Sequence, residues 1–99
     1  MKILIVEDDE AILDGLTFCL KKEGFDVAPA AFAKKGFKIA LEEELDLLIL
    51  DINLPDINGL KLYRMIKEKK DIPTIFLTAN DSELSVVEAL DSGADDYIT

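Results

Sequence analysis

The run Leu47-Leu48-Ile49-Leu50 ends on Asp51 and then turns at Pro55 through Ile52-Asn53-Leu54. Four aliphatic residues are too few to cross a membrane, which takes about 20. They fit a strand covered on both faces, as in parallel sheets. Ligands of such sheets bind just beyond the carboxyl ends of the strands, so Asp51 stands where chemistry is usually done. Ile3-Leu4-Ile5-Val6 repeats the pattern and runs into Glu7-Asp8-Asp9-Glu10. A third run, Thr74-Ile75-Phe76-Leu77, leads to Thr78 and the small Ala79. Two apolar strands therefore bring acids, and a third brings a hydroxyl, to one edge of one sheet.

Between these strands the spacing changes to that of helices. Ile12, Leu13, Leu16, Cys19 and Leu20 recur at helical intervals, and Gly24 follows Lys21-Lys22-Glu23, so a first helix is predicted to end near Glu23. Phe25 and Val27 alternate into a second strand whose Pro29 suits an edge position. Ala33, Phe37, Ala40 and Leu41 mark a second helix, and a third strand spans residues 46–51. Asn58-Gly59 opens a third helix with Leu62, Tyr63 and Ile66 toward the sheet, and Pro73 leads the fourth strand. Asp81 or Ser82 caps a fourth helix, and Tyr97-Ile98-Thr99 begins a fifth strand. Such alternation indicates right-handed βαβ units and a three-layer, flavodoxin-like α/β fold. The expected five-stranded parallel order is 2-1-3-4-5, which sets strands one and three side by side so that Asp8 and Asp51 converge.

The 99 residues suffice for one domain with one core, spanning residues 1–99. Net charge is -10. Anionic membranes and phosphate backbones would repel such a chain, so no direct nucleic-acid or membrane binding is expected. Lys67, Lys69 and Lys70 are interrupted by Glu68 and Asp71 and form no basic patch. A single cysteine, Cys19, cannot form an internal disulfide and reads as a small apolar helix residue in a reducing compartment. Only four apolar residues precede the first acids, which is too short for a secretory signal, and a cytoplasmic location is expected.

Taken in order, Glu7-Asp8, Asp51, Leu54-Pro55-Asp56 with Gly59, Thr78-Ala79, and Gly93-Ala94-Asp95-Asp96-Tyr97-Ile98-Thr99 resemble the receiver domains of two-component response regulators over the whole chain. The last stretch is most similar to receivers fused to a winged-helix DNA-binding domain that regulates transcription. The resemblance implies a phosphoacceptor signalling domain rather than an enzyme in the usual sense, although such domains assist their own phosphoryl transfer and dephosphorylation. Asp51 would accept a phosphoryl group from a sensor histidine kinase, with Thr78 and Tyr97 as the switch pair and Asn53 and Asn80 tuning the lifetime of the phosphate. It also implies a lysine immediately after Thr99 and a fifth helix, so these residues read as a receiver cut before that helix. A homodimer through helix four and strand five would follow the family, although Ser85-Val86-Val87 replaces residues that usually form its salt bridges.

Three carboxylates in one pocket repel one another by roughly 4 kcal/mol per pair at about 4 Å if the effective dielectric is near 20. Hard oxygen ligands of this kind suit Mg²⁺. Asp8 and Asp51 are the expected direct ligands, with Glu7 acting through water. The family resemblance adds the backbone carbonyl of Asn53. Two alternatives stand beside this reading. A haloacid dehalogenase-type phosphatase also carries a nucleophilic aspartate after an apolar strand, but it wants a second aspartate where Asn53 stands. A degenerate receiver serving only as a binding scaffold is opposed by the intact Glu7, Asp8, Asp51 and Thr78.

Overall fold

The computed structural model describes residues 1–77 in full and the backbone of residues 96–98. Chain order is β1 (Lys2–Val6), α1 (Glu10–Lys22), β2 (Asp26–Ala30), α2 (Ala33–Glu42), β3 (Leu47–Asp51), α3 (Gly59–Lys67), β4 (Thr74–Leu77) and β5 (Asp96–Ile98). All strand pairs are parallel, and the sheet order is β2-β1-β3-β4-β5. This is the expected flavodoxin-like arrangement. Asp81, Ser82 and the expected fourth helix lie outside the described residues.

The alternation of side chains divides the core in two. Leu4, Val6, Leu48, Leu50 and Phe76 point to one face, where Ala33 and Ala40 of α2 and Leu60, Leu62, Tyr63 and Ile66 of α3 cover them. Ile3, Ile5, Val27 and Ile49 point to the other, against Leu13, Leu16 and Leu20 of α1. Because β1 and β3 are neighbours with helices on both sides, none of their central residues can be polar without losing hydrogen bonds to water. Pro29 pairs with Ile5 from the edge strand β2, where its missing N–H need not meet a further strand.

Local signals fix the helix ends. The Asp9 carboxylate accepts from the Ile12 N–H at the start of α1, with Glu10 in the first turn and Lys21 and Lys22 in the last. Gly24 at φ 96° closes the helix: its N–H reaches the Lys21 carbonyl, and the Phe25 N–H reaches the Leu20 carbonyl. That pairing is a Schellman motif. Ile12 and Cys19, which share the helical spacing of α1, are exposed, Ile12 by 47%. At 100° per residue, Leu13, Leu16 and Leu20 fill the contact stripe and leave the other two on its flank. Leu41 of α2 is likewise 38% exposed, because Ala33, Gly36 and Ala40 form the face that packs. The third strand begins at Leu47 rather than Asp46, whose carboxylate instead accepts from the Lys2 N–H at 2.7 Å.

Phe76 is fully buried, with its ring edge-on to Tyr63 at 5.5 Å between centroids. Phe76→Ala is expected to cost about 3–5 kcal/mol, a large part of the total stability of a domain this size. Urea denaturation of both proteins measures it. A loss below about 1 kcal/mol would mean that the sheet collapses around the gap.

Candidate functional site at the carboxyl edge of the sheet

β1 and β3 run in register with Val6 opposite Leu50, so the residues that follow these two, Glu7 and Asp51, emerge level at one edge. Together with Asp8 they place carboxylate oxygens within 4.8 Å of one another. Their environments differ sharply. Glu7 is only 5% exposed, Asp51 is half-buried, and Asp8 is open to solvent. The Glu7 backbone N–H donates to the Ala30 carbonyl at 3.0 Å, which ties this edge to the end of β2.

Asp51 is positioned from behind by the start of α3. The Gly59 N–H donates to the Ile52 carbonyl at 2.7 Å, and a methyl on Gly59 would overlap the Asp51 carbonyl oxygen and stand 2.8 Å from the Ile52 Cα. Only glycine permits so close an approach. Asn58 caps α3 by accepting from the Leu60 N–H at 2.8 Å. The Asn53 N–H lies 3.3 Å from Asp51 Oδ1, so the loop folds back over the carboxylate.

Burial, followed by a hydrogen bond to Asp51, pushes the Glu7 carboxyl up to about 7. Burial also raises Asp51, while the hydrogen bond from Glu7 pulls it back down. Below about pH 7 Glu7 thus keeps its proton and can hydrogen-bond the Asp51 carboxylate, which relieves the repulsion of two acids drawn from water. The cluster fits a divalent cation of the Mg²⁺ type: its donors are hard oxygens, they converge, and the pair already requires one positive charge.

Among the expected site residues, Glu7, Asp8, Asp51 and Asn53 come together here. Thr78, Asn80 and the side chain of Tyr97 lie outside the described residues. Leu77, the residue before Thr78, pairs with Asp51, and the Tyr97 backbone pairs with Phe76. Sequence reasoning missed the burial of Glu7. Its one available signal was Val6, which carries the buried strand to the very residue before it.

A profile of the response regulator receiver domain matches residues 3–99. The chain belongs to this family. A CheY-like receiver domain protein from Methanospirillum hungatei is 39% identical with a TM-score of 0.91, over 98% of this chain and 78% of that one. The response regulator TrrA from Thermotoga maritima, solved in complex with Mg²⁺-BeF, is 34% identical with a TM-score of 0.87, over 99% and 84%. A response regulator from Burkholderia pseudomallei, solved with a phosphorylated aspartic acid, a calcium ion and citrate, is 26% identical with a TM-score of 0.90. It is matched over 98% of this chain and 58% of that one. Among the described residues of this receiver domain, no helix is long and apolar enough to cross a membrane.

The shared proton sets a pH dependence for the metal-free receiver domain. Folding raises the Glu7 carboxyl from 4.5 to about 7. The folded state therefore binds more protons between those values, and its stability falls as pH rises through that window. Asp56 is shifted down and titrates below it. Glu7→Gln, whose amide donates without a titratable proton, should flatten the fall. Urea midpoints with a chelator present, measured across the window, test this. An equal fall in both proteins would locate the proton elsewhere.

Proposed function

We propose that this receiver domain accepts a phosphoryl group on Asp51 from the phosphohistidine of a sensor histidine kinase. An Asp51 carboxylate oxygen would attack phosphorus, the P–N bond would break, and the imidazole would leave with that electron pair. The observation that carries the reading is the convergence of Glu7, Asp8 and Asp51 at the end of two buried strands. The neighbour with a phosphorylated aspartic acid and the neighbour in complex with Mg²⁺-BeF support it.

Asp8 and Asp51 would hold Mg²⁺ directly, with the Asn53 backbone carbonyl as a third ligand and Glu7 acting through water. Bound there, the ion supplies positive charge to the phosphoryl oxygens. Asp51 must be ionised to attack: in the metal-free domain a hydrogen bond from Glu7 favours that state, and with the ion bound the ion's charge would do so instead. Gly59 keeps the Asp51 backbone fixed, so the carboxylate meets the incoming group from one direction. Thr78 follows the β4 residue level with Asp51 and would hydrogen-bond a phosphoryl oxygen, with Tyr97 turning inward in response. Asn53 and Asn80 would tune the lifetime of the phosphate. Control of a fused winged-helix, DNA-binding output domain, transcription regulation in the cytoplasm, and a homodimer through helix four and strand five complete the reading. These rest on the resemblance of residues 93–99 and on the family.

Acetyl phosphate with Mg²⁺ should label Asp51, and Asp51→Asn should abolish labelling while preserving the fold. Peptide mass spectrometry locates the group, and undiminished labelling of the variant would remove Asp51 from this role. Asp8→Asn should weaken Mg²⁺ binding by at least the 10-fold or so that outer-shell partners contribute. A titration with unchanged affinity would exclude Asp8 as a ligand.

A further inference from the structure

The segment 52–58 joins Asp51 to α3 and carries Asn53. Its base is fixed by the Gly59 N–H on the Ile52 carbonyl. Its tip is fixed differently. Asp56 Oδ1 accepts from the Ala33 N–H at 2.9 Å, and Asp56 Oδ2 accepts from the Lys34 N–H at 3.0 Å. These are the first two amides of α2, and Phe32, at the N-cap of that helix, provides no side-chain acceptor of its own. A helix start leaves such donors unpaired unless a side chain or water meets them. Here the missing cap comes from a loop more than twenty residues away.

The contact is anchored on both sides. Ala33 is fully buried, and a Cβ on Gly36 would come 2.6 Å from Val6 Cγ2, so α2 sits hard against the end of β1. Leu54 and Ile57 flank Asp56 and pack into the same cluster as Ala30 and Ala33. Although partial desolvation pushes the Asp56 carboxyl up, the N–H groups of Ala33, Lys34, Asp56 and Ile57 hold it below the usual range. These donors favour the charged carboxylate.

We propose that Asp56 is a positioning residue: by capping α2 with both carboxylate oxygens it holds the 52–58 loop, and with it the Asn53 backbone, in place beside Asp51. Its bearing on the metal rests on the reading that the Asn53 carbonyl is a ligand. A cap that served α2 alone could be replaced by one placed on α2 itself. A tether could not.

The deciding experiment uses Asp56→Ala with and without Phe32→Asp, which gives α2 a cap of its own at an extended N-cap position. Asp56→Ala alone should lower the urea midpoint. In the double variant the midpoint and the protection of α2 amides should return. The Asn53 amide, three residues from the substitution, should remain unprotected in hydrogen exchange of the metal-free protein. Mg²⁺ affinity of the double variant should stay about tenfold weaker than wild type, at the low end of what ligand-orienting partners contribute. Wild-type protection of Asn53 in the double variant would overturn the proposal. Should wild type bind no Mg²⁺, the metal reading fails, and the Asn53 exchange comparison still decides the tether.

Discussion

The structure depends on the placement of charge at the ends of strands whose centres are apolar. β1 and β3 are covered on both faces, so their central residues are wholly apolar, and the first positions free to be polar lie where the strands stop. Glu7 and Asp51 occupy those positions in adjacent strands, and Asp8 follows the first. Two acids drawn from water beside each other cannot both stay ionised at low cost, which is why one carries a proton up to about pH 7. Everything nearby serves this arrangement. Glycine at 59 lets α3 start directly behind Asp51, and the Asn53 amide faces its carboxylate.

Close approach recurs as the means by which helices reach the site. Gly36 lets α2 lie on Val6, and Gly59 lets α3 lie on the Asp51 carbonyl, so both helix starts are held within contact of the strand ends that bear the acids. A Cβ at either place would push the helix outward and loosen the edge. At position 59 the obstacle is backbone, which cannot rotate aside as the Val6 side chain could.

Much of this was legible in the sequence because it depends on near neighbours. The strand that ends on Asp51, the α1 boundary at Gly24, the edge position of Pro29 and the α3 start at Asn58-Gly59 each follow from residues within a few positions, and each appears as expected. Ile12, Cys19 and Leu41 lie in the helices that their spacing marked but outside the packed stripe, because helical spacing shows that a stripe exists but not its width, which the packed surface of the sheet decides. The burial of Glu7 had only Val6 as a local signal, and the bond from Asp56 to α2 had none. The first lies at an edge where the Glu7 N–H is tied to the Ala30 carbonyl of β2, and the second joins residues 22 and 23 positions apart.

The proton on Glu7 and a divalent cation answer the same electrostatic need, so under the proposed reading they compete. A cation beside Asp8 and Asp51 would lower the cost of ionising Glu7, and the proton would leave as the ion arrived. Where Glu7 ionises only near pH 7, affinity for the ion should rise with pH up to that point and level off above it. The buried acid thus spares the empty domain a full concentration of negative charge, at the expense of some affinity. A fully exposed glutamate at position 7 would ionise in its ordinary range, giving tighter binding at low pH and a metal-free fold that no longer loses stability as pH rises toward 7, because no buried carboxyl would then have to give up a proton.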